Sequence, residues 1–269
     1  MKKVLYINRW IAPEEVSVAA NHLPVFTSRM AIPKGSIVIP RYGLLPHYKE
    51  WVQDLELIDS KLINSHSQHL WVADIKEWAL EEGELFGLTP KTYTSRWDRL
   101  PQGSYVVKGS TNSMKQEWNS KMFAEKKEDV TKIISILSGD SMIKNQDIVV
   151  REYIPLRKLD EGINALPITN EWRTIWIVND GEPVMLSKGF YWQASHPEVE
   201  CKAEWSEAAM ELAEIAASRI SHRINFFSID LAQKDDGDWI IIEINDGGMS
   251  GLCGCDPEEF YRNLSNIMR

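Results

Sequence analysis

The sequence is poor in cysteine and has no long apolar run. Its 269 residues include three cysteines, Cys201, Cys253 and Cys255, with no CxxC pair among them. Such cysteine usage is typical of free thiols in a reducing compartment, so we expect a cytoplasmic protein. No stretch of about 18 apolar residues occurs, which excludes a membrane-spanning helix on length. The opening MKKVLYINRW is interrupted by Asn8 and Arg9, so we expect a first strand there and no signal peptide.

Positive charge is also in deficit. Lys and Arg number 30 against 39 Asp and Glu, a formal charge of −9, which makes nucleic acid an unexpected partner. The sequence contains no internal repeat and no low-complexity segment. It lacks both the Walker phosphate loop and the GxGxxG fingerprint, so P-loop and dinucleotide-binding proteins are excluded.

Short strands and helices alternate along the chain, and antiparallel hairpins appear in its second half. The mixture predicts an α+β fold rather than a doubly wound sheet. We expect strands at 4–7, 36–40, 104–108 and 148–154, helices at 71–82, 124–137 and 203–223, and hairpins at 171–191 and 226–246.

The hairpin 226–246, FFSIDLAQKDDGDWIIIEIND, carries the clearest pattern. If Asp236-Gly237 is a two-residue loop, Asp230 lies opposite Glu243 and Ser228 lies opposite Asn245. Strand alternation then puts these four polar side chains on one face. The other face is apolar, and its predicted members are Phe227, Ile229, Leu231, Ile240, Ile242 and Ile244.

Two carboxylates facing each other across strands repel unless a cation lies between them. Hard oxygen ligands favour Mg²⁺, which proteins commonly share with nucleotide phosphates. We therefore predict a magnesium site at Asp230, Glu243 and Asn245. The alternative is an ordinary amphipathic hairpin whose polar face is wet.

The hairpin 171–191 yields a second charge pattern. With Asp180-Gly181 as its loop, Arg173 lies opposite Lys188 and Glu171 lies opposite Phe190. Facing cations need a bridging anion, and a triphosphate is such an anion. The alternatives are two solvated side chains, or a three-residue loop that changes the register.

Three further motifs are weaker. Lys108 ends a strand, and the polar loop 109–113 follows with amides and hydroxyls that could cover phosphates, although a solvated lysine is the simpler interpretation. His66 and His69 lack a Cys or carboxylate framework, so we expect no zinc site. The segment 247–251, GGMSG, is either a phosphate loop or a flexible exit from the last strand.

Taken in order, these elements resemble the ATP-grasp superfamily, and more closely its small phage and bacterial members. The family holds its nucleotide between two α+β subdomains, which usually follow a smaller domain. The resemblance implies an N-terminal α/β domain at 1–85, a lid subdomain at 86–150 and a catalytic subdomain at 151–269. It also implies ATP and Mg²⁺ as cofactors.

The resemblance assigns roles residue by residue. Asp230, Glu243 and Asn245 match the magnesium ligands, with Glu243-Ile-Asn245 as the Glu-x-Asn motif, and Glu171-Trp-Arg173 matches the Glu-x-Arg strand. The implied nucleotide-binding residues are Lys76, Lys108, Ser110, Arg151, Glu152, Tyr153, Ile154 and Glu171. The implied catalytic residues, which stabilise the transferred phosphoryl group, are Arg173 and Lys188.

The implied activity is ligation of a small-molecule or peptide carboxylate to an amine or thiol, through an acylphosphate and with release of ADP. The alternatives are a phosphotransferase acting on a hydroxyl, a non-catalytic ATP-binding module, or an α+β interaction protein without a nucleotide. The segment 246–251 differs from the Arg-Pro stretch common in the family, which leaves the acceptor open. We expect loss of Asp230 or Glu243 to lower the rate by orders of magnitude with little change in fold.

Overall fold

The computed structural model describes residues 2–268, and its first part is a parallel sheet with helices on both faces. The strands pair in the order β2-β1-β3-β4. Parallel strands need both faces covered, and the apolar residues of β1 point alternately into two cores. The elements are β1 (Lys2–Ile7), α1 (Pro13–Ala20), β2 (Val25–Phe26), β3 (Ser36–Arg41), α2 (Tyr48–Glu56), β4 (Lys61–Leu62), α3 (His66–Ala73) and α4 (Ile75–Ala79).

The second part is an antiparallel sheet with one helix against it. Its strands pair in the order β5-β8-β6-β7. Alternate residues of β6, Tyr105 and Val107, pack against Val130, Ile133 and Leu137 of the helix, which leaves the other face of the sheet for a cleft. The elements are β5 (Thr92–Tyr93), β6 (Tyr105–Gly109), β7 (Phe123–Ala124), α5 (Lys127–Ser138) and β8 (Ile148–Glu152).

The third part is built on a four-stranded antiparallel sheet, ordered β12-β11-β13-β14. One face packs on α6 through a run of alanines, and the other shares a core with the first sheet and α7. The elements are β9 (Lys158–Glu161), β10 (Pro167–Thr169), β11 (Glu171–Asn179), β12 (Glu182–Phe190), α6 (Glu207–Ile220), β13 (Phe226–Gln233), β14 (Trp239–Asp246) and α7 (Pro257–Met268).

Most predicted helices and strands occur near their predicted positions, but one predicted helix is divided. The helix predicted at 71–82 is two helices, because Asp74 has an extended backbone and its side chain accepts a hydrogen bond from the Lys76 amide, which caps α4. No helix in the part of the chain that the structure describes is long and apolar enough to cross a membrane.

The hairpin of β13 and β14 forms the predicted residue pairs, although its loop differs from the predicted one. Asp230 pairs with Glu243, and Ser228 pairs with Asn245, as the sequence predicts. The two-residue loop is wrong, because the Lys234 amide donates to the Asp238 carbonyl and leaves a three-residue turn at 235–237. An odd loop shifts the register by one residue, and a bulge at Ile242 shifts it back.

The bulge corrects the predicted faces of β14. Ile241 is fully buried in the core under α6, whereas Ile240 and Ile242 are half-buried. Ile242 lies on the cleft side of the sheet. The alternation of apolar and polar residues therefore holds on β13 but fails on β14, where an extra residue interrupts it.

In the hairpin of β11 and β12 the loop is right and the register is wrong. Asn179 pairs with Glu182 around Asp180-Gly181, as predicted. A bulge at Leu186 then moves the partners by one, so Arg173 pairs with Gly189 and Lys188 pairs with Thr174. The predicted Arg173–Lys188 and Glu171–Phe190 pairs do not form.

The partner of Arg173 on β12, Gly189, suggests a test of the packing that holds the segment after β14. A Cβ atom at Gly189 would overlap the backbone of Gly254. We expect Gly189→Ala to lower the free energy of unfolding by about 1–3 kcal/mol, because backbone atoms cannot move aside as a side chain can. Urea denaturation measures this loss.

Gly139→Ala is the matched control, because a Cβ there meets only the Ile136 carbonyl oxygen at 3.6 Å. It should leave the urea midpoint nearly unchanged. Equal midpoints for Gly189→Ala and the parent protein would contradict the packing described.

Candidate active site

The central strand pair of the third sheet brings a buried acid and a buried arginine together. β11 pairs with β13 so that Arg173 lies directly opposite Asp230. The Arg173 Nε and Nη2 donate to the two Asp230 oxygens at 2.8 and 2.7 Å, and Asp230 is 1% exposed. Two parallel hydrogen bonds between a guanidinium and a carboxylate make a strong ion pair with a defined geometry. Arg173 is thus the cation of Asp230, not a neighbour of Lys188.

Glu243, the acid opposite Asp230, has a cation from a different sheet. The Lys108 Nζ on β6 donates to Glu243 Oε1 at 2.7 Å. Partial burial would raise the pKa of Glu243, but the charges of Lys108 and Lys115 lower it to about 2. The repulsion predicted between Asp230 and Glu243 is therefore relieved by one side-chain cation for each acid.

These contacts decide which residues fit a metal. Both Asp230 oxygens are used by Arg173, whereas Lys108 takes only one oxygen of Glu243. Within residues 2–268, no group of three His, Cys, Asp or Glu side chains is arranged to hold a metal ion. Glu243 and Asn245 remain suitable for Mg²⁺, and each Asp230 oxygen keeps a second lone pair beside its bond to Arg173, so Asp230 could join them without leaving that pair.

A cleft between the second and third sheets collects most of the predicted nucleotide-binding residues. Its cavity volume is about 130 Å³, and it opens to solvent. Apolar side chains, including Val106, Trp118, Leu166, Trp192 and Ile242, make its walls. The predicted residues that line it are Lys108, Arg151, Glu152, Tyr153, Ile154, Glu171 and Glu243.

Arg151 is buried in this cleft with unused donors. Its Nη1 donates to the Ile242 carbonyl at 2.7 Å, while Nε and Nη2 have no partner among the described residues. Burial lowers the pKa of Arg151 to about 10, although Glu243 opposes the shift. Buried donors without acceptors are costly, so the cleft suits an oxygen-rich ligand at this point.

Glu171 is a buried acid that, like Arg151, has a side-chain atom without a hydrogen-bond partner. It is 4% exposed, and its Oε1 has no hydrogen-bond partner among the described residues. Burial raises the pKa of Glu171 to about 7, despite the opposing charge of Lys115. The carboxyl group is therefore partly protonated at neutral pH.

Six predicted site residues are not among those that line the cleft. Arg173, Asp230 and Asn245 are on β11, β13 and β14, the strands that carry or adjoin the lining residues Glu171 and Glu243, whereas Lys188, Lys76 and Ser110 lie elsewhere. Lys188 is on the opposite face of the sheet from Arg173, with its Nζ 5.8 Å from the ring of Trp205. The bulge at Leu186 places Lys188 on this face, away from Arg173. Lys76 is paired with Asp147 and Asp74 outside the cleft.

The third of the residues that lie elsewhere is Ser110, in the loop after β6. The polar groups of this loop were predicted to be free for phosphate, but several of them are hydrogen-bonded within the protein. Ser110 is buried, and its backbone bonds to Asp147 and Ile75. The Thr111 and Asn112 amides, predicted to be free for phosphate, both donate to Gln146 Oε1 at 2.8 and 3.0 Å. Ser113 lines the cleft in place of Ser110.

Sequence reasoning missed several cleft residues, and Lys115 is the most consequential. Its Nζ donates to the Tyr191 hydroxyl at 3.0 Å and lies 4.4 Å from the centre of that ring. Lys115 directly follows the polar loop after Lys108, and this position in the sequence could have identified it as a cleft residue. Ile242 had none, because only the bulge turns it toward the cleft.

The segment 247–251 is held by the first sheet and is not a flexible exit from β14. Arg41 is fully buried, and its Nη1 donates to the carbonyls of Gly247 and Ser250 at 2.6 and 2.9 Å. Its other N–H groups bond to Glu15 and Tyr42. Every donor of this guanidinium is therefore satisfied.

Asp246, the last residue of β14, is the second anchor of this segment. Its side chain accepts hydrogen bonds from the Gly248 amide at 2.8 Å and from Asn64 at 2.9 Å. His69 Nδ1 lies 3.1 Å from the same carboxylate. His69 is thus part of a buried hydrogen-bond cluster.

The comparisons with known proteins agree with this geometry. Residues 95–264 match the family model described as ATP-grasp domain, R2K clade family 3. A search of curated protein sequences found no match.

Several solved structures are similar in fold at low identity. VanG D-Ala:D-Ser ligase from Enterococcus faecalis has a TM-score of 0.62 at 12% identity, over 99% of this chain and 98% of that one. D-cycloserine synthetase DcsG gives 0.61 at 11%, over 99% and 100%. D-alanyl-alanine synthetase A from Vibrio cholerae gives 0.53 at 13%, over 99% and 98%. The predicted fold, two α+β subdomains of the ATP-grasp type, is confirmed.

The Arg173–Asp230 pair changes what removal of Asp230 should do. We expect Asp230→Ala to lose about 3–5 kcal/mol of unfolding free energy, because it leaves Arg173 buried and unpaired. The double variant Arg173→Met/Asp230→Leu should recover much of this loss. A double-mutant cycle in urea measures the coupling.

Asp54→Ala provides the control, since Asp54 pairs with Arg29 at an exposed site and should cost less than about 1 kcal/mol. If Asp230→Ala proved as stable as the parent, the assigned pairing would be wrong.

Glu171 predicts a pH dependence of stability. Its pKa rises from 4.5 to about 7 on folding, so folding favours the protonated form. The stability it contributes is complete below pH 4.5 and is lost as the pH rises through 7. Glu171→Gln keeps the neutral shape, so it should gain on the parent across this range, by about 3 kcal/mol.

Thermal melts at pH 4.5, 6 and 8 give the comparison. The exposed Glu182→Gln should show a constant offset from the parent. A Glu171→Gln offset that is equally flat would rule out the raised pKa.

Proposed function

The chain belongs to R2K clade family 3 of the ATP-grasp domains, and on that premise we propose that it is an ATP-dependent carboxylate–amine ligase. The observation that carries the proposal is the Lys108–Glu243 pair at the floor of the cleft. Because Lys108 comes from the second sheet and Glu243 from the third, a ligand between the sheets meets both groups. A nucleotide bound in the cleft would therefore contact both sheets.

ATP is proposed to lie with its base against the strand end 152–154 and its phosphates toward Lys108 and Arg151. β8 ends at Glu152 and the Tyr153 amide donates to the Ser104 carbonyl at 2.9 Å, which leaves the Tyr153 carbonyl and the Ile154 amide to meet a base edge. The unused donors of Arg151 suit phosphate oxygens. We keep the predicted division into 1–85, 86–150 and 151–269 as part of this proposal, and leave Lys76, Ser110 and Lys188 out of the site.

Glu243 and Asn245 would hold Mg²⁺, since each keeps an oxygen that the described residues do not engage. When bound, the ion neutralises charge on the phosphates and on the transferred group. Asp230 contributes through Arg173, whose position it fixes.

Arg173 is proposed to act on the transferred group through Nη1. This nitrogen donates to the Gly251 carbonyl at 2.9 Å and to the Cys253 sulfur at 3.3 Å. Sulfur is a weak acceptor, so a phosphoryl oxygen can replace it at little cost. The arginine would then stabilise developing negative charge while Asp230 keeps it in place.

The proposed reaction has two steps. A substrate carboxylate oxygen attacks the γ-phosphorus of ATP, and the bond to the β-phosphate oxygen breaks to release ADP. An amine, or alternatively a thiol, then attacks the acyl carbon, phosphate leaves, and the nucleophile loses a proton. No covalent bond to the protein forms.

The acceptor is proposed to be an amino acid or a similar small amine. VanG is named as a D-Ala:D-Ser ligase, and another similar structure is named as an L-amino acid ligase from Bacillus licheniformis. The free Cys253 beside Arg173 supports a reducing, cytoplasmic location for the enzyme.

Product analysis tests this proposal. Purified protein with Mg²⁺ and ATP should release ADP and phosphate only when an amino acid carboxylate and an amine acceptor are both present, and Glu243→Gln should lower this rate at least about 100-fold. Glu182→Gln, an exposed change on β12, should retain the parent rate.

Other products identify other functions. ADP with a phosphorylated hydroxyl compound indicates a phosphotransferase, and tight ATP binding without turnover indicates a binding module. Release of AMP and pyrophosphate contradicts the acylphosphate route.

A further inference from the structure

Lys115 is the cation of the cleft to which neither the family resemblance nor the predicted site gives a role. It follows the polar loop 109–113 and starts a short 3-10 helix, Lys115–Glu117. From there its side chain crosses the cleft to the third sheet. The Nζ lies 4.4 Å from the ring centre of Tyr191 and 5.5 Å from that of Trp192. Two aromatic faces thus hold the ammonium group in one position.

Most of the hydrogen-bonding capacity of this ammonium is unused. It carries three N–H donors, and its hydrogen bond within residues 2–268 goes to the Tyr191 hydroxyl at 3.0 Å. No carboxylate oxygen of the described chain comes within 4.0 Å of the Nζ. Two of its donors therefore have no acceptor among the described residues and are available to a ligand.

The surrounding charges keep the group protonated. The fields of Glu171 and Glu243 outweigh the effect of burial and raise the pKa of Lys115. The ammonium is accordingly a fixed positive charge that lacks a directly bonded counter-ion. An anion with several oxygens is the ligand that satisfies it.

Position along the cleft selects the part of the ligand involved. The Arg173 Cζ lies 5.1 Å from the same Tyr191 ring, so Lys115 and Arg173 lie at one end of the site. Arg173 adjoins Asp230 and, across the hairpin, Glu243. Lys115 is therefore at the reacting end.

We propose that Lys115 binds the terminal phosphoryl group of the nucleotide and stabilises it during transfer. The inference rests on the proposed function. It gives the polar loop after β6 a specific purpose, which is to deliver this lysine. It also predicts that the site distinguishes a triphosphate from a diphosphate through one side chain.

Calorimetric titration with two probes tests the inference. The probes are the non-hydrolysable triphosphate AMP-PNP and ADP, each with Mg²⁺. In Lys115→Met, AMP-PNP binding should weaken about 10–100-fold, the value of a hydrogen bond to a charged group, and ADP binding by less than about threefold. Lys115→Arg keeps the charge and should restore most of the AMP-PNP affinity.

Lys144→Met is the matched control, because Lys144 is exposed and lies in the turn between α5 and β8. It should leave both affinities unchanged. Thermal melts of each variant separate loss of binding from loss of folding, and a Lys115→Met protein that melts like the parent but shows the selective loss supports the proposal.

Two outcomes would overturn the inference alone. Equal weakening of AMP-PNP and ADP would make Lys115 a general cleft residue. Tighter AMP-PNP binding by Lys115→Met would make it a counter-ion that nucleotide displaces. Failure of the parent protein to bind either probe would instead overturn the proposed function, and this inference with it.

Discussion

The structure depends on the need to neutralise two acids that face each other across one hairpin. Asp230 and Glu243 would repel on adjacent strands, and each is satisfied by a separate cation. Arg173 comes from the neighbouring strand, while Lys108 comes from another sheet. The first pair fixes the centre of the third sheet, and the second joins that sheet to the one above it. The two ion pairs therefore connect β11 to β13 within the third sheet and join the second sheet to the third at the cleft.

The cleft also carries polar groups that the protein leaves without partners. Arg151 and Glu171 are both almost fully buried, and each has side-chain atoms with no hydrogen bond in the described chain. A folded protein normally satisfies such groups, so their retention here indicates readiness for a ligand. Their positions are set before any ligand arrives, which reduces the reorganisation that binding requires.

Sequence patterns predicted the element order, because it follows from apolar periodicity and turn residues. They also predicted the Asp230–Glu243 pair, although this pair forms only because the bulge at Ile242 compensates a three-residue turn. The residues predicted in the cleft came mainly from the resemblance to the ATP-grasp superfamily. Sequence patterns could not predict the bulges at Leu186 and Ile242, since a bulge arises from packing between strands rather than from a local signal. The first bulge moved Lys188 out of the site, and the second turned Ile242 into it. The pairing of β11 with β13, which gives Asp230 its arginine, was likewise invisible from either hairpin alone.

The fully bonded guanidinium of Arg41 has a consequence for the architecture as a whole. Its partners come from α1, from Tyr42 directly after β3 and from the segment after β14, and the core around it includes residues of α7. The family match begins only at residue 95, so Arg41 lies outside the matched region. The first sheet is consequently a structural support of the third sheet. A fragment that lacks it would lose the hydrogen bonds that hold the segment 247–251 in place.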